Sequence, residues 1–107
     1  MEIKKKVLSA VSLIQNHFTI DENELVIQDA TIEELEKELS QLISRLLDSD
    51  MERLILSLYR IDIDEAIFKK ILVNEPSDNI SLRLAQEVIK REFEKVRTRE
   101  KYKDFFQ

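Results

Sequence analysis

The chain has 107 residues and a mass of 12.7 kDa, enough for one modest core, with 43% hydrophobic residues, 36% charged residues and a formal net charge of −5. It contains no glycine and no cysteine, one proline and one histidine. A glycine-rich phosphate loop, a dinucleotide-binding turn, a thiol nucleophile, a disulfide framework and a multi-histidine metal site within one chain are thereby excluded.

A first helix is predicted from the opening stretch, because Ile3, Val7, Ala10, Val11, Ile14 and Phe18 recur on one stripe at helical spacing. Lys4, Lys5 and Lys6 ahead of the apolar run imitate the start of a secretory signal, but no small-residue cleavage pattern follows. His17, at the edge of the stripe, reads as a partly covered structural side chain. Phe18 to Ile20 and Leu25 to Ile27 are short β-favouring runs around a polar turn from Asp21 to Glu24, so a small hairpin competes there with an irregular loop.

Thr31 followed by Glu34 has the capping-box spacing that opens a second helix. Ile32, Leu35, Leu39, Leu42, Ile43 and Leu46 then line one face, and the helix is predicted to run to about Leu47. Arg53 interrupts the continued heptad register, so bundle packing is expected rather than a coiled coil. "DSD" at 48 to 50 ends this helix and offers Ser49 or Asp50 as the cap of a third, reaching about Arg60. Met51, Leu54, Ile55, Leu56, Leu58 and Tyr59 cover more than half of its circumference. A helix apolar over so wide an arc is expected to be the central one, with Leu58 in the middle of the core.

In "YRIDIDEAIF" the three acids could belong to a metal loop, a catalytic pair or a helix start. A calcium loop needs a glycine and further oxygen ligands, whereas Ala66, Ile67 and Phe68 follow. Asp62 with Glu65 repeats the capping spacing, so Asp62 is expected to cap a fourth helix and Asp64 to lie in its first turn. This helix carries Ile67, Phe68, Ile71 and Leu72 and is expected to end near Val73, with Asn74 left-handed and Pro76 blocking continuation. "PSDN" then caps a last helix with the core stripe Leu82, Ala85, Ile89, Phe93 and Val96. Glu100 and Lys103 occupy the continued positions, so residues 97–107 are expected to protrude as a helix end or tail.

Charge is unevenly spread: residues 1–50 carry a net −6 and residues 51–107 a net +1. Arg91, Lys95, Arg99 and Lys103 recur every four residues, a like-charge ladder that costs about 0.2–0.5 kcal/mol per neighbouring pair in an isolated helix. Glu87 faces only its first rung. The ladder is either a solvated face or a surface for an anionic partner, and these four residues are the candidate partner-binding set. Nucleic acid is disfavoured as that partner by the net negative charge and by Lys90, Arg97 and Lys101 lying on another side.

The stretches "LLDSDMERLILSLYRIDIDEAIFKKIL" and "VIKREFEKVRTREKY" resemble a group of small uncharacterised bacterial helical proteins, over residues 46–102. The resemblance implies a helical fold in a bacterial cytoplasm and transfers no functional residue. Taken together, the expectation is an all-α, single-domain bundle of about five helices. No run approaches the roughly 18 apolar residues of a membrane span, and no cofactor, metal or catalytic residue is expected. The expected function is a non-enzymatic protein–protein interaction module that self-associates, as in a dimer, or binds an acidic protein partner through its basic last helix. The alternative is a DNA-binding helix-turn-helix regulator formed by two helices between 51 and 96.

Overall fold

The computed structural model describes residues 2–106, with side chains for residues 2–102. Five helices follow one another: α1 (Ile3–His17), α2 (Ile32–Ser49), α3 (Met51–Ile61), α4 (Glu65–Asn74) and α5 (Ile80–Phe106). They form the expected all-α bundle. Among the described residues there is no strand, and no helix is long and apolar enough to cross a membrane.

The centre of the bundle is α5, not α3: α5 packs on α1, α2, α3 and α4, whereas α4 packs on α5 alone. After Pro76 nothing interrupts a run rich in Leu, Arg, Glu, Gln and Lys, all good helix formers, so one helix of 27 residues forms, about 40 Å long. Its buried face is Leu84, Ala85, Val88, Ile89, Glu92 and Val96. The predicted stripe is therefore rotated, leaving Leu82 exposed and Phe93 half-buried. Opposite it, α2 buries Leu35, Leu39, Leu42, Ile43 and Leu46 as its periodicity requires, each side chain contributing about 1.5–3 kcal/mol relative to exposure. Of the α1 stripe, Val7, Ala10, Val11, Ile14 and Phe18 are buried, Leu13 joins them, and Ile3 is exposed.

The α1–α2 connection is an irregular loop, and no hairpin forms. Its backbone is held by side chains instead. Arg53 donates from Nε to the Phe18 carbonyl (3.2 Å) and from Nη2 to that of Thr19 (2.7 Å), and Arg60 donates to the Thr19 hydroxyl (2.8 Å). The two arginines thus cap the C-terminus of α1, where cations also meet the negative end of the macrodipole. At the far end of the loop the Thr31 hydroxyl accepts the Glu34 N–H, completing half of the capping box. Glu34 reaches further back than that motif prescribes, accepting from the backbone N–H groups of Gln28 (2.8 Å), Asp29 (2.9 Å) and Ala30 (3.0 Å). These bonds, the one from Gln28 foremost, hold its carboxyl below the usual value near 4.5.

A chain without glycine must make its left-handed turns from other residues, and Thr19, Ala30 and Asp62 do so, with φ of 53°, 56° and 72°. Asn74 does not: it remains in α4, and the chain leaves through an extended Glu75 ahead of Pro76.

Candidate interface

The acids of "YRIDIDEAIF" divide between two helix ends. Asp62 is the left-handed C-cap of α3, its N–H bonded to the carbonyls of Leu58 and Tyr59. The N-cap of α4 is Asp64, whose Oδ1 accepts the Ala66 N–H at 2.9 Å. The expectation that Asp62 opens α4 is corrected: its side chain leaves the turn and meets Arg91 Nη2 at 3.3 Å. Glu65 pairs with Lys69 (3.1 Å), both side chains largely exposed. Among the described residues no three His, Asp or Glu side chains converge on a metal site.

The basic ladder is split. Arg91 is held by Asp62 and by Glu94 (3.1 Å), and Glu87, its expected neighbour, turns to Arg83 (3.6 Å). Lys95 lies 3.6 Å from the carboxylate of Glu92. Arg99 stands exposed beyond Val96, the last buried residue among those described, together with Arg97, Lys101 and Tyr102. The side chain of Lys103 lies outside the described residues; its backbone continues α5. The first two rungs are thus paired within the domain, whereas Arg99 is exposed.

Glu92 is the residue that the sequence reading missed. It is fully buried, with Oε2 2.8 Å from His17 Nδ1 and Oε1 without a hydrogen bond. His17 is mostly covered, so the carboxylate, the imidazole and the Lys95 ammonium form one ionic cluster joining the end of α1 to α5. A signal existed: Glu92 continues the spacing of Ala85, Val88 and Ile89, and an acid on an apolar face requires a basic neighbour.

A second surface follows from α3. It buries Leu54, Ser57, Leu58 and Ile61, while Met51, Ile55, Leu56 and Tyr59 on the rest of its apolar arc are exposed, Tyr59 by 83%. Because α3 and α4 diverge and do not pack on each other, an open groove of about 750 Å³ lies between them. Ile55, Leu58, Tyr59, Ile63, Phe68 and Leu72 form its apolar lining, and Asp62, Asp64, Glu65 and Lys69 its charged rim. Leu58 belongs to the hydrophobic core, as expected, and also lines the groove. No family model, curated protein or solved structure matches the chain.

Proposed function

We propose that the protein is a non-enzymatic protein–protein interaction module that engages an acidic protein surface through the basic end of α5. The observation that carries this reading is the continuation of α5 for ten residues past Val96, about 15 Å of helix, with Arg97, Arg99 and Lys101 exposed. Like charges at neighbouring positions of a helix repel, and a partner's carboxylates would relieve that repulsion. Arg91 and Lys95, engaged within the domain, anchor this helix end rather than contact the partner. A helix-turn-helix formed by α3 and α4 is disfavoured, because its turn would press Asp62, Asp64 and Glu65 towards phosphates.

The test compares the native chain with the double variant Arg99→Glu, Lys103→Glu by light scattering and by pull-down, at low and high salt. Attraction between exposed charges weakens as the Debye length falls from about 10 Å at 0.1 M to about 3 Å at 1 M, so association is expected to fall with salt and in the variant, with Tm unchanged. A native chain that is monomeric and partnerless at low salt, or a variant that behaves like it, contradicts the reading.

A further inference from the structure

We infer that the acidic surface met by the end of α5 is the α3–α4 groove of a second copy of this chain. The inference rests on the function proposed above and specifies its partner.

The two surfaces match in charge and in pattern. The groove lining carries Asp62, Asp64 and Glu65 against Lys69, a net −2, with Asp62 also engaged by Arg91 of α5 and Glu65 by Lys69. Residues 97–107 carry Arg97, Arg99, Lys101 and Lys103 against Glu100 and Asp104, a net +2. Along the helix these charges are ordered. At helical spacing, positions 98, 102, 105 and 106, occupied by Thr, Tyr, Phe and Phe, share one side of α5. The basic positions 97 and 101 border that side on one edge and 99 and 103 on the other, while the acidic positions 100 and 104 fall on the back. An apolar strip edged by cations is the complement of an apolar groove edged by carboxylates.

Size agrees as well. The projecting ten residues span about 15 Å, and α3, the wall of the groove, has 11 residues and spans about 16 Å. The rim has charge to give: the exposed Glu65–Lys69 pair is exchanged for an intermolecular one at little cost.

The occupant is not the chain's own helix end. Arg91 of α5 already touches Asp62 at one end of the groove. Residues 97–106 continue the same helix about 9–22 Å further along its axis, and an uninterrupted helix does not fold back.

Sedimentation velocity of the 107-residue chain at low salt tests the inference. The groove variant is Tyr59→Lys with Glu65→Lys, both at highly exposed side chains, and the helix-end variant is Arg99→Glu with Lys103→Glu. The native chain is expected to self-associate, and each variant alone to associate about tenfold or more weakly with an unchanged Tm. An equimolar mixture of the two variants, which retains one intact groove and one intact helix end, is expected to recover a one-to-one complex. If the helix-end variant loses association while the groove variant keeps it, the acidic surface lies elsewhere: the inference falls and the proposed function stands. A native chain that stays monomeric, or a mixture that does not recover, also overturns it. So does a monomeric chain that binds vesicles containing anionic lipid and loses this binding in the helix-end variant.

Discussion

Two helices of this bundle show how the same apolar content leads to opposite ends. α2 confines its leucines and isoleucines to one face and surrounds them with Glu33, Glu36, Lys37 and Gln41, so burying that face against α5 leaves a wholly polar exterior. α3 spreads its apolar residues over more than half of its circumference, yet against α1, α2 and α5 it buries only the face of Leu54, Ser57, Leu58 and Ile61. Ile55, Leu56 and Tyr59 are therefore left facing out. Excess apolar arc does not make a helix central. In a bundle this small it leaves an outer face, and here that face borders the groove.

The largest expected effect separates these two faces. Leu39→Ala in α2, at a fully buried position, is expected to cost about 2–5 kcal/mol, whereas Tyr59→Ala in α3 stays within about 0.5 kcal/mol at protein concentrations where the chain is monomeric. Urea unfolding of both variants checks this, and a Tyr59→Ala loss above about 1 kcal/mol would make the outer face of α3 part of the core. Next in size is the ionic cluster. His17→Ala removes the hydrogen bond of the fully buried Glu92 and is expected to cost about 1–3 kcal/mol, while Glu92→Gln, which keeps a partner for the imidazole, costs less. Equal losses in the two variants would mean that the charge of Glu92 matters more than its hydrogen bond.

A smaller effect tests the division of the two aspartates. Asp64→Ala is expected to cost about 0.5–2 kcal/mol as the loss of an N-cap, and Asp62→Gly less, because glycine takes the left-handed C-cap without strain. The reverse order would return the cap of α4 to Asp62. The smallest effect concerns Glu34. Its carboxyl is held below its ordinary value, so its contribution is present above pH near 4.5 and is lost as pH falls through the folded-state value. The stability gap between the native chain and Glu34→Gln is expected to be constant at neutral pH and to narrow only in acid; a gap unchanged down to the lowest pH at which the chain folds would mean that the carboxylate does not hold the loop.

How far the sequence could be read differs between these regions for physical reasons. The faces of α1 and α2 were largely legible because their apolar residues recur at helical spacing, and the Thr31 cap because its spacing to Glu34 marks one helix start, whereas the cap of α3 lay open between Ser49 and Asp50 until the structure showed Asp50. Asp62 and Asp64 are two residues apart and both residue types suit caps, so spacing alone could not tell the end of α3 from the start of α4. The absence of glycine hid the loops: Thr19 and Ala30 take left-handed conformations that their side chains disfavour, Thr19 held by Arg53 and Arg60 from distant positions and Ala30 by Glu34 four residues on. The face of α5 was misplaced because charged Glu92 stands on it, and its partner His17 lies 75 residues away in sequence. The strip through positions 98, 102, 105 and 106 was visible in the sequence all along, but it has meaning only beside the groove.

The chain has two tyrosines, Tyr59 beside the groove and Tyr102 on the projecting end of α5, exposed by 83% and 61% in the single chain. Hydroxyl-radical footprinting over a protein dilution series at low salt reads both at once. If the end of α5 docks into the groove of a second copy, both tyrosines become protected together as concentration rises, and both are released at high salt. Labelling that stays constant at both positions, or protection of one tyrosine without the other, would contradict the account.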